Sequence, residues 1–188
     1  MKMEKLKSFF FIALVLFTIS CRKNDINAYP EETQQGKNTI GCYIDGTPFY
    51  SATTIFGLVS PINVNYYKDS FPTLYSAGYL AIQGIDARYD LDIAGNIVIN
   101  KQKIFAIGDY PLVSQSVTIC NQNRSCDYIG YYNSKTGKSY SAESGNLTLT
   151  KLDTVNKIVS GRFYFTAKDS LGNRIQVTNG RFDAKYFN

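Results

Sequence analysis

The chain has 188 residues, of which 44% are hydrophobic and 19% are charged, and its formal net charge is +5. This composition is typical of folded domains and excludes disordered, collagen-like and multi-span membrane proteins. Histidine is absent, which removes the commonest general base and the imidazole metal ligand. Fifteen tyrosines and twelve phenylalanines favour β-structure.

The N-terminus predicts a lipoprotein signal peptide over residues 1–20. A lysine-rich start is followed by an apolar run from Phe9 to Phe17, which is too short to span a bilayer. Cys21 directly follows Ser20 and resembles the modified cysteine of a bacterial lipobox, which implies lipid attachment through its thiol. An ordinary signal peptide cleaved nearby is the alternative.

Residues 21–39 are polar and predict a flexible, lipid-anchored tether before a single β domain over residues 40–188. The protein is therefore expected to be exported as an outer-membrane lipoprotein, on the periplasmic side or at the cell surface. Its basic residues are scattered without a Lys/Arg block, so a nucleic-acid partner is not expected.

Short β-type runs separated by turn signals begin at residue 40. Asp45-Gly46 predicts a hairpin because this pair tolerates positive φ. Further strands are predicted over 75–83, 95–100, 117–120 and 128–132. A run over 103–112 contains Pro111, which has no N–H and is expected at an edge or a strand start.

The C-terminal part alternates most clearly. Two leucines alternate with threonines before a turn at 154–156, and a long strand then carries apolar residues on one face from Val159 to Ala167. A second turn at 169–173 precedes further alternation. Its parity switches at Asn179-Gly180, which predicts a β-bulge or a tight turn.

The number of strands predicts the architecture. About ten short strands in roughly 150 residues favour an all-β, antiparallel β-sandwich, because a single open sheet would leave one apolar face in water. A lipocalin-like closed barrel is the alternative, and its interior could carry a small apolar ligand.

Glycines and aromatic residues recur at short spacing along these strands. The chain resembles a family of small Bacteroidetes lipoproteins of the DUF6252-like kind in Asp45-Gly46, Gly108-x-Tyr110-x-Leu112, Gly145-x-Leu147-x-Leu149-x-Lys151-x-Asp153, Ser160-Gly161-x-Phe163-x-Phe165 and Val177-Thr178-x-Gly180-x-Phe182-Asp183. These positions belong to the β framework. The resemblance therefore implies relatives and supplies no catalytic residue.

Three cysteines follow the expected lipid attachment site. Cys120 and Cys126 flank a polar segment that could close as a small loop, which predicts a disulfide between them. Cys42 lies in a strand-like context and is expected to be a small buried side chain with a free thiol.

The sequence contains few residues of the types that act as general acids, general bases or metal ligands. We therefore expect no enzyme activity, no catalytic or metal-binding residues and no cofactor. The predicted β domain holds a single glutamate, Glu143, and the chain offers no histidine to activate a nucleophile. It also contains neither a C-x-x-C pair nor a D-x-[DN]-x-[DN]-G calcium loop.

Four tyrosines lie in a polar stretch: Tyr128, Tyr131, Tyr132 and Tyr140. Rigid amphipathic rings among Asn, Ser, Lys and Gly are typical of binding loops, so we expect a surface here that binds a glycan or a protein partner. Tyrosine is also a common strand residue, and a structural role is the alternative.

Two short sequences resemble the Asp-Ser/Thr-apolar acceptor of O-glycosylation in Bacteroidetes. They are Asp153-Thr154-Val155 and Asp169-Ser170-Leu171, with Thr154 and Ser170 as the acceptors. Both fall at predicted turns, where an acceptor hydroxyl would be accessible.

Overall fold

The computed structural model describes residues 29–51, 62–69, 77–88, 92, 94–115 and 126–187. Ten strands lie within this part: β1 (Thr39–Ile44), β2 (Thr47–Tyr50), β3 (Ile62–Tyr67), β4 (Tyr79–Asp86), β5 (Gly95–Lys101), β6 (Gly108–Pro111), β7 (Tyr128–Asn133), β8 (Lys138–Asp153), β9 (Ile158–Lys168) and β10 (Arg174–Lys185). The predicted all-β fold of about ten antiparallel strands is confirmed. In the same part of the chain, no helix is long and apolar enough to cross a membrane.

The strands form one continuous sheet in the order β2-β1-β10-β9-β8-β7-β5-β4-β3, and β6 adds to β8. The sheet curls until β3 meets the chain just after β10. There the Phe187 N–H donates to the Val64 carbonyl (2.9 Å), and the Tyr66 N–H donates to the Phe187 carbonyl (3.3 Å). Two halves of one sheet therefore face each other across a single core.

The inner face of the curl is filled with apolar side chains, because successive strand residues point to opposite faces. Members from both halves of the sheet are Ile40, Phe49, Ile82, Ile99, Tyr131, Leu147, Phe163, Phe165, Val177 and Phe182. All of them are almost fully removed from solvent. Their burial supplies the main driving force for folding.

An ion pair between the buried Asp86 carboxylate and the partly exposed Arg88 holds the curl where β2 approaches β4. Asp86 ends β4 and accepts hydrogen bonds from the Arg88 Nε (2.8 Å) and from the Tyr50 N–H (3.4 Å). The Arg88 guanidinium also lies 3.7 Å from the centre of the Tyr50 ring. These contacts join two strands that are not hydrogen-bonded neighbours in the sheet.

Several turn predictions are confirmed. The β1–β2 hairpin turns at Asp45 and Gly46, whose φ angles are +47° and +81°. The turn between β8 and β9 covers residues 154–157, as expected. The parity switch in β10 is a register shift between Val177 and Gly180, with Asn179 at a φ of +52°.

Other segments differ from the sequence-based expectation. β3 was not predicted, and of the run over 103–112 only Gly108–Pro111 forms a strand, β6. Among the described strands β6 pairs with β8 alone, so Pro111 lies on an edge as expected. The predicted strand over 117–120 lies outside the described residues.

The prediction of a flexible tether over 21–39 is wrong for its described end. Residues 29–38, which we call the strap, pack against the outer face of the sheet. The physical reason is a buried carboxylate, that of Asp183 in β10, which collects hydrogen bonds from the strap. Polar composition alone gave no sign of this partner.

Candidate functional site

Asp183 anchors the strap to the sheet. Its carboxylate is 1% exposed and accepts hydrogen bonds from three consecutive backbone N–H groups: those of Gln35 (3.0 Å), Gly36 (2.8 Å) and Lys37 (3.2 Å). The hydroxyls of Thr33 and Ser160 donate to the same carboxylate. Five donors around one buried charge fix the course of the strap across the strands.

This environment shifts the titration of Asp183. Burial on its own raises the pKa of the carboxyl, but the hydrogen bonds from Thr33, Ser160 and the strap backbone outweigh it and lower the pKa below its ordinary value. The carboxylate therefore stays ionised at neutral pH. An ionised Asp183 is what the surrounding donors require.

The strap crosses the outer face from β1 toward β8. Pro30 lies over Gly41 of β1, where a Cβ would come within 2.6 Å of the proline ring. Further along, the Lys151 Nζ donates to the Gln34 carbonyl (3.0 Å). Glycine at position 41 therefore leaves the space that the strap occupies.

Beside the strap, a ladder of outward-facing residues crosses five strands. Asp109, Thr148, Arg162, Arg181 and Gly41 pair in succession across β6, β8, β9, β10 and β1. Four interstrand spacings of about 4.8 Å give this ladder a length of about 19 Å. Its middle members, Thr148, Arg162 and Arg181, form one row of the floor of a groove.

A second row lies parallel to the first. Asn146 pairs with Tyr164 across β8 and β9, and Thr178 pairs with Tyr43 across β10 and β1. The Tyr164 ring is 59% exposed on this face. The two rows together present aromatic, amide, hydroxyl and guanidinium groups toward solvent.

The strap forms a wall above this floor. The ring of Tyr29 lies 4.9 Å from that of Tyr43, centre to centre, and the Arg181 guanidinium carbon lies 4.0 Å from the centre of the Tyr29 ring. The Tyr29 hydroxyl donates to the Asn179 carbonyl. Burial raises the pKa of Tyr29 to about 12, although Arg181 opposes the shift, so the hydroxyl remains a donor.

The resulting cross-strand groove has a volume of about 720 Å³. Its lining includes Tyr29, Tyr43, Tyr164, Arg162 and Arg181. This volume and this mixture of rings with a few polar groups fit a small-molecule or oligomer binding site.

Two side chains of the groove are held in place from outside it. The Asp109 carboxylate accepts hydrogen bonds from the Asn146 Nδ2 (2.9 Å) and from the Thr148 hydroxyl. These two bonds lower the pKa of Asp109, so the carboxylate remains an acceptor at neutral pH. Asn146 and Thr148 are thereby oriented before any ligand arrives.

Two arginines in the groove differ in their partners. The Arg162 Nε and Nη2 both donate to the Glu32 carboxylate of the strap, at 2.9 and 2.8 Å. The Arg181 Nε is buried, and no acceptor meets it among the described residues. A buried donor without a partner is rare in proteins, so the Arg181 side of the groove is a candidate for contact with a ligand.

The predicted tyrosine surface is corrected by the structure. Tyr131 is 2% exposed and packs edge-on against Phe49, because it shares the inner face of β7 with the core. Tyr140 stacks on Tyr131 from the adjacent strand, with ring centres 6.1 Å apart. Tyr128 and Tyr132 alternate with Tyr131 and so face outward, and Tyr132 is 41% exposed. The four rings do not form one surface.

Two of the four cysteines, Cys42 and Cys126, lie within the described residues. Cys42 is free and buried, and burial raises the pKa of its thiol well above the ordinary value. Cys126 is disulfide-bonded. Its predicted partner Cys120 lies outside the described residues, as does the predicted lipid site Cys21, so both assignments stay predictions.

The two predicted glycosylation turns share one local structure. Asp153 accepts from the Val155 and Asn156 N–H groups, and its second oxygen accepts from the Asn156 side chain. In the other turn, Asp169 makes the corresponding bonds to Leu171 and Asn173. Thr154 and Ser170 are exposed at these turns. Their modification stays a prediction.

The groove was missed because its parts are far apart in sequence. The outward positions of β9, Arg162 and Tyr164, alternate with the core residues Phe163 and Phe165 and could have been assigned to one face. Nothing in the sequence indicates that the strap would lie over them. Within the described ranges, no cluster of three metal-ligating side chains occurs.

Comparison with known proteins identifies no relative: no family model, no curated protein and no solved structure matches this chain.

Proposed function

We propose that this protein is a non-enzymatic binding module of the outer membrane, held there by lipid on Cys21, and that it captures a glycan in the cross-strand groove. The observation that carries the proposal is the groove floor. It places the exposed Tyr164 ring beside amide, hydroxyl and guanidinium groups that are already oriented. Membership of the DUF6252-like lipoprotein family forms part of the same proposal.

The position of the groove favours a glycan over a peptide. Its floor lies on β1, β8, β9 and β10, and each of these strands is paired on both sides where it forms the floor. A peptide that binds by adding a strand needs a free edge, which this floor does not offer. Recognition must use side chains, and the exposed groups suit a ligand rich in hydroxyls.

The packing of the interior supports a surface binder over a carrier of a small apolar ligand. Inner-face positions that a lipocalin-like carrier would leave open are occupied by large side chains, including Phe49, Phe163 and Phe165. Rings at these positions fill the space between the two halves of the sheet. The outer face is therefore the better candidate for binding.

The docked strap bears on how an anchored domain would be oriented. Only eight residue steps separate Cys21 from Tyr29, the first described residue of the strap, which is a reach of at most about 28 Å. A lipid on Cys21 would hold the strap side of the domain close to the membrane surface. The groove would then open near the bilayer.

A glycan array tests the proposal with the purified full-length protein. Wild type is expected to retain at least one class of oligosaccharide, and Tyr164→Ala is expected to weaken that signal about tenfold, by loss of a stacking platform. Tyr132→Ala is the matched control, since Tyr132 is an exposed strand tyrosine outside the groove.

Two outcomes would contradict the proposal. One is the absence of any retained glycan, and the other is an equal loss in the Tyr164 and Tyr132 variants. Both variants are expected to stay folded, because each ring points away from the core. Circular dichroism and thermal unfolding check this.

A further inference from the structure

We infer that the glycan bound in the groove is acidic, and that Glu32 of the strap occupies the position of a ligand carboxylate. This inference rests on the proposed glycan-binding function and specifies its ligand class. It follows from the charges that line the groove and from the way in which the strap meets Arg162.

The charges of the groove are unbalanced. Its charged lining residues are Arg162, Arg181 and Glu32, so two guanidinium groups face one carboxylate. The described residues include no ion-pair partner for Arg181. One further negative charge would neutralise the charges of the lining, since the Asp109 carboxylate lies outside it and is held by Asn146 and Thr148. A planar guanidinium is suited to bind that charge as a carboxylate.

Glu32 shows how such a carboxylate binds. Two nitrogens of Arg162, Nε and Nη2, donate to it at 2.9 and 2.8 Å. The pair lies in solvent, because the Arg162 side chain is 64% exposed and that of Glu32 39%. Exposed ion pairs contribute little to stability, so a ligand carboxylate can replace Glu32 without disturbing the fold.

The strap can release Glu32 while its anchor stays in place. The hydrogen bonds to Asp183 come from Thr33 and residues 35–37, all C-terminal to Glu32. The glutamate side chain itself is exposed and has rotamer freedom to move away. Displacement therefore requires a side-chain rotation and leaves the Asp183 contacts intact.

The other groups of the groove indicate what a ligand must offer besides a carboxylate. Tyr164 lies beside Arg162 in the lining of the groove, and Asn146 and Thr148 border the pair from β8. A sugar acid presents a ring face, hydroxyl groups and a carboxylate together, which matches these groups in kind. A neutral sugar would leave the guanidinium of Arg162 with Glu32.

Two probes that share one sugar chain test whether the ligand carboxylates contribute to binding. Tetragalacturonic acid and its fully methyl-esterified form have the same sugar chain, and the ester carries methyl groups in place of the carboxylate charges. Their affinities for the full-length protein are measured by calorimetry at low and high salt. We expect the acid to bind at least about tenfold more tightly than the ester, with a salt-dependent difference.

Two variants test the role of Glu32. Glu32→Gln is expected to raise affinity for the acid by about two- to fivefold, since a weak surface competitor is removed. Glu31→Gln makes the same change of charge one residue away, outside the lining of the groove, and is expected to have less effect. Arg162→Ala is expected to weaken the preference for the acid at least about fivefold, with Arg181 left as the remaining cation of the groove.

Each alternative result has a distinct meaning. Equal binding of acid and ester, or equal effects of Glu31→Gln and Glu32→Gln, would overturn the inference and leave the proposed glycan-binding function in place. Tighter binding of a glutamate-rich peptide than of the acid would overturn the choice of a saccharide. If neither probe binds and no other glycan does, both proposals fall.

Discussion

Replacing Asp183 by asparagine is expected to loosen the strap while leaving the sheet folded. The substitution keeps the size of the side chain and removes its charge. The hydroxyls of Thr33 and Ser160 can reorient to accept from the new amide. The backbone N–H groups of residues 35–37 cannot, and they lose a charged acceptor.

The magnitude follows from those three bonds. A hydrogen bond to a charged group contributes about 1.5–3 kcal/mol, and a neutral one about 0.5–1.5 kcal/mol, so each is weakened by about 1 kcal/mol. We therefore expect Asp183→Asn to lower the free energy of unfolding by about 3 kcal/mol. If the strap undocks, the backbone N–H groups of residues 35–37 bond to water instead. The decrease in the free energy of unfolding therefore does not go far beyond this value.

The assay combines urea unfolding with amide hydrogen exchange. In wild type the amides of Gly36 and Lys37 should exchange slowly, and in the variant they should exchange much faster than those of β9. Asp153→Asn is the control, since Asp153, at the end of β8, also accepts backbone N–H groups but those of an exposed turn. This substitution should lower the free energy of unfolding by less than about 1 kcal/mol and leave amide hydrogen exchange in the strap unchanged.

The same carboxylate predicts a dependence on pH. Because the pKa of Asp183 is lower in the folded state than its unfolded value of about 3.9, its contribution is complete above that value and is lost as pH falls toward the folded-state pKa. The stability difference between wild type and Asp183→Asn should shrink in acid. Unchanged exchange at Gly36 and Lys37 in the variant would refute the assignment of Asp183 as the anchor.

Four further predictions concern the core and the cysteines. Phe165→Ala should lower the free energy of unfolding by about 3–5 kcal/mol through the cavity it leaves, and Tyr131→Ser should also destabilise the fold strongly in urea unfolding because its ring is buried. Cys42 should react with iodoacetamide only in denaturant, as read by mass spectrometry, since its thiol is buried and its pKa is raised. Cys21→Ala should abolish incorporation of an alkyne fatty acid, and undiminished labelling would contradict the lipid assignment.

The sequence was most informative where local rules decide the structure. Asp45-Gly46 predicted the first hairpin because positive φ at both residues favours this pair. The apolar period of two from Val159 to Ala167 predicted the face of β9 that meets the core. Both predictions needed only neighbouring residues.

The tyrosines of β7 follow strand alternation and not the polar composition of their segment. Tyr131 lies two residues after Ile129, so the period of a strand places both on one face. Polar neighbours such as Asn133 and Ser134 favoured an exposed binding surface, although residues 128–132 are themselves predicted to form a strand. β3 was overlooked in the same way, although Ile62, Val64 and Tyr66 alternate with outward residues.

The strap could not be predicted by such rules. Its partner Asp183 is about 150 residues away in sequence, and an aspartate after Phe182 in a strand is ordinarily an exposed residue. Only the curl of the sheet and the pairing of β1 with β10 bring the strap over it. The groove depends on this long-range contact and was missed with it.

Hydroxyl-radical footprinting with tetragalacturonic acid shows whether an acidic saccharide covers the groove. Tyr164 in the groove and Tyr132 outside it are both exposed strand tyrosines, so their oxidation can be compared within one sample by mass spectrometry. We expect the ligand to protect Tyr164 from oxidation and to leave the oxidation of Tyr132 unchanged. Protection of Tyr132 alone, equal protection of both, or protection of neither would contradict it.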